Sequence, residues 1–443
     1  MLGPASYPPG LPAILAVPYA LAGLDFFYMK LVLYLFFLLA TVCIFVYFRR
    51  YVSPPAAAVL ALAVLLNPFN WQFRQYIWPE SPFLFFMFLF MVLHTIALSA
   101  QSRGAWVGRI LLTGAVLYCA CAVRSIGIVL AVAIVVLDLV RSRRPSWQSC
   151  ATLLVFGVLY VLQALTLGGA GNYSIYVDDI SVRSIVTSVL VTFYAGYYYV
   201  LGMATDDGVL LKGFAALCLW GLASFGLLSR LLGWTARASD EPLTDRLLLH
   251  DVVFGIYLCV LAIMPATAGG RYLMPIVPIL LLYAYQGGSE ILGRVGLSER
   301  LAAMALVGVF GVIYSVAFLR AGEPEIAVGP AAKESTEMFA YVREHTPSDA
   351  VLVFRKPRVL ALLGERAATI WPDGAAIGDS WCYFDEVGAS YLIVTKPESG
   401  LETPGLFRAL ADAGAERVFE NGQFVILKGL PGCDRPRGGE GAG

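Results

Sequence analysis

A succession of apolar stretches constrains this chain more than any other feature. About 20 apolar residues are needed to cross the hydrocarbon core of a bilayer as a helix. The chain has ten such stretches, at approximately 29–48, 54–70, 82–100, 106–123, 125–140, 150–167, 209–232, 250–268, 273–292 and 301–319. Only 14% of its residues are charged, whereas soluble domains carry roughly 25%. The sequence therefore predicts a polytopic α-helical membrane protein with about 10 transmembrane helices.

Two further segments do not fit the spanning pattern. Residues 11–26 are apolar but are broken by Pro12 and Pro18, which predicts a short helix lying at the membrane interface. Residues 168–208 hold acidic pairs and a tyrosine cluster at 193–199, and we expect a long outer loop there. Tyrosines of this kind more often form an aromatic belt at the membrane surface than a platform for a sugar.

The distribution of basic residues predicts the orientation. Loops on one side hold Arg49, Arg50, Arg103, Arg109, Arg141, Arg143, Arg144, Arg230, Arg237, Arg246, Arg294 and Arg300. Loops on the other side hold Lys30, Arg74, Arg124, Arg183, Lys212, Arg271 and Arg320. Cytoplasmic loops carry the excess of Lys and Arg, so the first side is cytoplasmic and both termini lie outside. This predicts a multi-pass protein of the cytoplasmic (inner) membrane.

The chain changes character after Arg320, where 18 of its 31 acidic residues lie. Apolar runs at 350–354, 390–395 and 424–428 predict strands, and 358–363 and 406–413 predict helices that end before glycines. We therefore expect a transmembrane domain over 1–320 and a small extracytoplasmic α/β domain over 321–433. The last ten residues, 434–443, are rich in Gly, Pro and charge and are predicted to be a disordered tail.

Few residues indicate a metal, a cofactor or a nucleic acid. The three histidines stand in no metal-ligand spacing, and the formal net charge of +0 gives no reason to expect nucleic-acid binding. No cofactor is indicated, although a divalent metal stays open. Cys382 and Cys433 are the two cysteines of the polar part, and outside the cytoplasm they can form a disulfide or remain free.

Glu80 is the charge that most needs an explanation. It lies in Trp78-Pro79-Glu80-Ser81-Pro82, between two apolar runs, and an ionisable group inserted in a membrane costs on the order of 3 kcal/mol without a partner. Arg124 and Arg271 are expected at the same membrane face. Two arginines and a carboxylate together suggest an anionic ligand and a proton acceptor. The alternatives are that the arginines are interfacial anchors and that Glu80 simply pairs with Arg74 or Arg124.

The order of these motifs resembles a known family. Tyr7-Pro8-Pro9-Gly10-Leu11-Pro12 is followed by Arg49-Arg50, Pro79-Glu80-Ser81-Pro82-Phe83, Arg124-Ser125-Ile126-Gly127 and Arg271-Tyr272-Leu273-Met274-Pro275-Ile276-Val277-Pro278. This series is similar to the C-type (GT-C) integral membrane glycosyltransferases. The branch it resembles is the bacterial one related to protein O-mannosyltransferases and lipid A aminoarabinose transferases. The resemblance covers about residues 5–320, and the α/β tail is also similar to tails on that branch.

The resemblance implies transfer of a sugar outside the cytoplasm. The donor would be a polyprenyl-phosphate sugar, embedded among membrane lipids, and the acceptor a hydroxyl of a glycan, lipid or protein, with inversion at the anomeric carbon. Arg271 is the first candidate to bind the departing phosphate and Arg124 the second, with Tyr272 beside them. Tyr7, Pro8, Pro9 and Gly10 would shape the acceptor side, and Glu80 would be a supporting carboxylate.

One departure from the family leaves other functions open. The family's main catalytic Asp precedes the Tyr-Pro-Pro-Gly segment, but only six residues precede Tyr7 and none is acidic. The resemblance thus implies that the first span and its loop are missing, through a misassigned start or because the chain is a fragment. If the start is genuine, we expect little or no transferase activity from this chain. A non-catalytic protein that binds lipid-linked glycans or assists assembly, and a polysaccharide polymerase or ligase, remain alternatives. A transporter is disfavoured because the halves show no matching repeats.

Overall fold

A computed structural model divides the chain into two compact units, one over Ala5–Gly322 and one made up of Glu323–Gly443 with Met1–Pro4. It describes residues 8–72, 76–97, 103–167, 181–201, 209–233, 242–263, 270–320, 329–330, 332–370, 377–396, 410, 412, 414–430 and 432–433. Tyr7, Arg74, the acidic pairs of the predicted loop and the tail after Cys433 lie outside these residues.

The first unit is helical throughout its described part. Its helices are α1 (Gly10–Ala22), α2 (Phe26–Phe48), α3 (Pro54–Leu65), α4 (Pro68–Gln72), α5 (Glu80–Ala97), α6 (Arg103–Val123), α7 (Ile128–Ser142), α8 (Trp147–Leu167), α9 (Val182–Ala195), α10 (Tyr197–Leu201), α11 (Val209–Leu231), α12 (Leu243–Arg246), α13 (Leu249–Ile263), α14 (Val277–Arg294) and α15 (Glu299–Arg320). Two 3₁₀ turns, Ser125–Gly127 and Gly270–Tyr272, precede α7 and α14. These helices follow the predicted apolar stretches closely, with two exceptions. An additional helical segment lies within the predicted loop 168–208, and the predicted span at 54–70 is divided into two helices.

The insertion corrects the predicted outer loop at 168–208. Residues 182–201 form α9 and α10, and together they are one of six helical segments long and apolar enough to cross a membrane among the described residues. This segment is the least apolar of the six, because Arg183 and several hydroxyl residues interrupt it and Gly196 separates its two helices. Residues 168–180 and 202–208 lie outside the described part.

The division corrects the predicted span at 54–70. Asn67 separates α3 from α4, since its side-chain oxygen accepts hydrogen bonds from the backbone N–H groups of Phe69 and Asn70 at 3.0 and 3.2 Å. Such an amide caps the start of a helix, and Pro68 suits the position that follows it. The chain therefore turns where the apolar pattern continues without a break.

Close backbone contact joins α11 and α14. A Cβ placed on Gly226 would lie 2.1 Å from the carbonyl oxygen of Tyr283, and one on Gly287 would lie 2.1 Å from that of Leu222. Small residues at such a crossing let two membrane helices approach closely. The position of α14 along α11 is fixed by this contact.

The second unit contains a five-stranded sheet flanked by helices. Its elements are α16 (Lys333–His345), β1 (Val351–Val353), α17 (Pro357–Gly364), β2 (Ala367–Thr369), α18 (Ile377–Glu386), β3 (Ala389–Thr395), β4 (Glu416–Glu420) and β5 (Phe424–Lys428). The strand order is β2-β1-β3-β5-β4, with β1 parallel to β2 and β3 and with β5 antiparallel to β3 and β4. Buried apolar residues lie on both faces of the sheet.

The structure adds elements to the α/β unit that the sequence analysis did not include. The predicted strands and the first predicted helix correspond to β1, β3, β5 and α17. The added elements are α16, α18, β2 and β4; the predicted helix at 406–413 lies largely outside the described residues. Cys382 and Cys433, which the sequence left either paired or free, form a disulfide.

Candidate functional site

Glu80 and Arg124 form a buried ion pair. Glu80 is the first residue of α5, and Arg124 directly follows the last residue of α6. The Arg124 Nη1 donates to the Glu80 Oε1 at 2.9 Å, and the two side chains are 12% and 3% exposed. Arg124 is one of the two partners considered from the sequence; the other, Arg74, lies outside the described residues. The second carboxylate oxygen, Oε2, is buried and has no hydrogen-bond partner among the described residues.

Arg271 lies on two aromatic rings beside this pair. Its guanidinium carbon is 4.8 Å from the Trp78 ring centroid and 4.7 Å from that of Tyr272. Its Nη2 also donates to the Tyr272 hydroxyl at 2.9 Å. The Arg124 guanidinium lies 4.6 Å from the same Tyr272 ring. Tyr272 thus contacts both arginines, and within the described residues no carboxylate forms an ion pair with Arg271.

Two buried tyrosines hold the turn that carries Arg271. The Tyr257 hydroxyl, from α13, donates to the carbonyl oxygen of Tyr272 at 2.9 Å. The Tyr199 hydroxyl, from α10, donates to the carbonyl oxygen of Gly270 at 2.9 Å. Neither tyrosine was predicted from the sequence as part of the site. A buried tyrosine hydroxyl needs a hydrogen-bond partner, and this need is the one signal in the sequence that could have singled them out. The sequence does not show which group the partner is.

The Pro-Pro-Gly segment lies against the same region. Pro8 and Pro9 lead into α1, which begins at Gly10. A Cβ on Gly10 would lie only 2.5 Å from the carbonyl carbon of Ala122, two residues before Arg124. The structure therefore brings Gly10, Glu80, Arg124, Arg271 and Tyr272 into one neighbourhood, whereas Tyr7 lies outside the described residues.

A small cleft of about 30 Å³ opens beside Glu80. It is bordered by Lys30, Leu33, Tyr34, Phe37, Asn70, Trp71, Tyr76, Trp78, Glu80 and Ser81. Lys30, which the sequence predicts on the outer side, therefore also lies near Glu80.

The arrangement combines a cation fit for phosphate with a carboxylate that has a spare oxygen. A planar guanidinium recognises phosphate through paired N–H donors, and a buried carboxylate oxygen can accept a proton or a hydroxyl hydrogen bond. Within the described part of the chain, no three His, Cys, Asp or Glu side chains are grouped as a metal site would require.

No protein-family model matches the chain, and no curated protein matches its sequence. Solved structures do match its fold. ArnT from Cupriavidus metallidurans bound to undecaprenyl phosphate is 15% identical, with a TM-score of 0.58 over 97% of this chain and 90% of that protein.

An oligosaccharyltransferase from Archaeoglobus fulgidus, in a complex with zinc and sulfate, gives a TM-score of 0.61 at 10% identity. That match covers 92% of this chain and 61% of the archaeal protein. AglB from the same organism, with an inhibitory peptide and a dolichol-phosphate, gives 0.55 at 13% identity over 89% and 62% of the two chains. The predicted fold class is confirmed: this multi-pass membrane protein has the fold of the GT-C glycosyltransferases, with a small α/β unit at its C-terminal end.

Proposed function

We propose that the protein is a glycosyltransferase that moves a sugar from a polyprenyl-phosphate donor to an acceptor hydroxyl. The observation that carries this proposal is Arg271, an arginine held on two aromatic rings next to the buried Glu80–Arg124 pair. The fold supports it, because ArnT and AglB were solved with undecaprenyl phosphate and a dolichol-phosphate.

Arg271 is the proposed ligand of the donor phosphate. Tyr272 occupies one N–H group of its guanidinium, and Trp78 and Tyr272 fix its plane while leaving further N–H donors available. The phosphate becomes the leaving group, and a preorganised cation stabilises the negative charge that develops on it. Arg124 is the second cation, 4.6 Å from the Tyr272 ring.

Glu80 is proposed as a supporting carboxylate rather than the principal base. Its Oε1 holds Arg124 in place, and its Oε2 is buried without a hydrogen-bond partner among the described residues. In the reaction, the acceptor oxygen bonds to the anomeric carbon as the bond to the phosphate oxygen breaks. The electron pair leaves with the polyprenyl phosphate, and the hydroxyl proton passes to a carboxylate base.

The sidedness is part of the proposal. We place Glu80, Arg124, Arg271 and the α/β domain over 321–433 on the extracytoplasmic side of the inner membrane. The Cys382–Cys433 disulfide supports this assignment, since disulfides persist in oxidising compartments. The acceptor is proposed in general terms as a glycan, a lipid or a protein.

Binding and transfer by Arg271 variants test the proposal. The affinity of the purified chain for undecaprenyl phosphate can be measured by native mass spectrometry, and membranes can be assayed for polyprenyl phosphate released from polyprenyl-phosphate sugars. A charge-assisted contact is worth about 1.5–3 kcal/mol, so we expect Arg271→Ala to weaken carrier binding about 10- to 100-fold. Arg271→Lys should recover part of the affinity, because it keeps the charge but loses the paired donors.

Arg294→Ala is the matched control. Arg294 is an exposed arginine at the end of α14, paired with Glu290 at 3.2 Å, and its replacement should leave carrier binding unchanged. Full binding and transfer by Arg271→Ala would remove Arg271 from the site. Carrier binding without any release of polyprenyl phosphate would instead indicate a non-catalytic protein that binds lipid-linked glycans.

A further inference from the structure

We infer that the helix break between α3 and α4, at Asn67, is a positioning element for Arg271, which it reaches through α10 and Gly270. The inference rests on the proposed function and deepens it, because it names residues that fix the place of the proposed phosphate ligand. Asn67 and Phe69 at the break contact the tyrosines of α10, and both the break and these tyrosines contact the residue before Arg271.

Asn67 connects three helices through one side chain. Its oxygen caps α4, and its Nδ2 donates to the carbonyl oxygen of Tyr199 at 3.2 Å and to the Tyr314 hydroxyl at 2.9 Å. The Tyr314 hydroxyl, from α15, also donates to the Tyr199 carbonyl oxygen at 3.2 Å. All three residues are buried. The backbone of α10 at Tyr199 is therefore fixed by two buried donors.

Tyr199 connects Asn67 to the turn that carries Arg271. Its hydroxyl donates to the Gly270 carbonyl oxygen at 2.9 Å. The same carbonyl oxygen accepts from the backbone N–H of Leu273 at 3.1 Å, which closes the 3₁₀ turn over Gly270–Tyr272. Because the Tyr199 backbone is fixed at Asn67, its side chain holds the start of this turn in place.

Aromatic rings pack directly against Gly270. Phe69 is stacked on Tyr198, with ring centroids 4.5 Å apart and planes 24° from parallel, and it meets Tyr199 edge to face at 5.3 Å. A Cβ placed on Gly270 would lie 3.0 Å from the Tyr198 Cδ2 and 3.1 Å from the Phe69 Cζ. In a close-packed interior such a methyl group has no room unless a ring moves. The turn is thus held by packing as well as by hydrogen bonds.

The same contacts give the tyrosine cluster of α10 a role. Tyr197 and Tyr199 are buried, whereas the tyrosines of an aromatic belt lie at the membrane surface. Tyr197 is stacked on Tyr198 with ring centroids 4.1 Å apart, and Tyr198 is stacked in turn on Phe69. These rings form an internal stack that ends at Gly270, and they support the turn rather than the bilayer.

The hydrogen bonds of Asn67 account for a polar residue inside an apolar stretch. A buried amide is unfavourable unless its polar atoms are paired. Here the oxygen has two donors, the N–H groups of Phe69 and Asn70, and the Nδ2 has two acceptors. Only the first two bonds serve the start of α4; the other two reach α10 and α15. The amide therefore connects α10 to the break, which the end of a helix alone does not require.

The test removes single hydroxyl groups from this path. Tyr199→Phe deletes the hydrogen bond to Gly270, and Tyr314→Phe deletes one of the two that fix the Tyr199 carbonyl oxygen. The affinity of each purified variant for undecaprenyl phosphate is measured by native mass spectrometry. We expect Tyr199→Phe to weaken carrier binding about three- to tenfold, in keeping with one hydrogen bond lost. Tyr314→Phe, one step further from Arg271, should weaken it by a smaller factor.

A second background separates positioning from a general loss of structure. If Tyr199 acts through Arg271, Tyr199→Phe should cause no further loss of affinity in a chain that already carries Arg271→Ala, because the group that it positions is absent. A purely structural role would lower the affinity by the same factor in both backgrounds. Equal factors in the two backgrounds would therefore overturn the inference.

Hydrogen exchange of the turn gives a readout that does not depend on the carrier lipid. The Leu273 N–H donates to the Gly270 carbonyl oxygen and the Met274 N–H to that of Arg271, at 3.1 and 3.2 Å, so both amides are protected while the turn is held. Tyr199→Phe should speed exchange in the peptide that contains residues 270–274. An exchange rate equal to that of the native chain would contradict the inference, whatever the affinity for the carrier.

Thr113→Val is the matched control. Thr113 is buried, and its hydroxyl donates to the Arg109 carbonyl oxygen within its own helix, α6, at 2.7 Å. The variant therefore also loses one buried hydroxyl but no contact with Gly270, and it should match the native chain in both measurements.

The proposed function and the inference fail on different results. Native-like carrier binding by Arg271→Ala would overturn the proposed function and the inference with it. Weakened binding by Arg271→Ala together with native-like binding by both tyrosine variants would overturn the inference alone.

Discussion

Two buried ion pairs of the membrane unit differ in how completely their carboxylates are used. Glu80 pairs with Arg124 and Asp251 with Arg230, each carboxylate standing in the first turn of a helix. Asp251 accepts from Arg230 and, at 2.5 Å, from the Tyr283 hydroxyl on one oxygen, and from the Leu248 N–H at 2.6 Å on the other. Within the described part of the chain, Glu80 accepts a hydrogen bond on one oxygen only.

The difference distinguishes a structural ion pair from the pair at the proposed binding site. Around Asp251 the neighbours are Tyr47, His250 and Tyr283, all buried, and the Tyr47 hydroxyl lies 3.0 Å from the His250 Nδ1. Around Glu80 there are an open cleft and an arginine on aromatic rings. A carboxylate whose oxygens are all satisfied holds helices together, whereas one with a spare oxygen has something left to offer a ligand.

Removing Asp251 should give the largest effect on stability. Asp251→Ala leaves the Arg230 charge without its partner, and breaking a buried pair in this way costs about 3–5 kcal/mol. Unfolding in mixed detergent micelles measures the loss. Glu290→Ala, which breaks the exposed pair with Arg294, should change stability by less than about 1 kcal/mol. Equal losses in the two variants would contradict the role of Asp251 as a brace.

Replacement of Glu80 should lower transfer strongly and stability only slightly. Glu80→Gln keeps the shape of the side chain but removes the charge that orients Arg124, and we expect transfer to fall at least about 100-fold. Its unfolding midpoint should stay closer to that of the native chain than the midpoint of Asp251→Ala. The comparison between the pairs fails if Glu80→Gln unfolds as readily as Asp251→Ala while keeping its activity.

The contact between α11 and α14 supports the Asp251 ion pair, and a single added methyl group should disturb it. Gly226→Ala places a Cβ against the Tyr283 carbonyl oxygen, and overpacking of this kind costs typically 1–3 kcal/mol. Gly221→Ala, on the same helix, meets nothing within 4 Å and is the control. Unfolding midpoints of the two variants measure the difference; a Gly226→Ala midpoint no lower than that of Gly221→Ala would show that α14 can shift.

The smallest expected effect concerns the support of Tyr272. Tyr257→Phe deletes the hydrogen bond to the Tyr272 carbonyl oxygen, worth about 0.5–1.5 kcal/mol. We expect a transfer rate lowered by roughly tenfold or less, read from release of polyprenyl phosphate. Tyr160→Phe, at an exposed position of α8, should leave the rate unchanged, and a matching loss in both variants would mean that Tyr257 does not position the turn.

The sequence predicted which residues lie near the candidate site better than it predicted which of them contact one another. Glu80, Arg124 and Arg271 stand at the ends of apolar stretches, so hydropathy and the arginine count suffice to expect them at one face. Their pairing depends on which helices pack together, and no periodicity in the chain encodes that. The choice of Arg124 as the partner of Glu80, and the stacking of Arg271 on Trp78, came only from the fold.

Other features were not predicted because their signals in the sequence are weak or local. Segment 182–201 mixes hydroxyl groups and an arginine into an apolar run, so it resembled a loop beside the acidic pairs. Asn67 divides a continuous apolar stretch through a side-chain cap, which hydropathy does not register. Strand β4, Glu416–Glu420, is short and charged at both ends, and strand propensity is low for such a segment.

Helix α13 connects the Asp251 ion pair to the turn that carries Arg271. Asp251 lies in its first turn and Tyr257 six residues later, a distance of about 9 Å along a helix axis. The first anchors α13 through Arg230 and Tyr283, and the second supports the turn that presents Arg271. A displacement at Asp251 should therefore also shift the turn that carries Arg271, because one helix connects them. Substitutions around Asp251 would then alter carrier-lipid binding if Arg271 is the phosphate ligand proposed above.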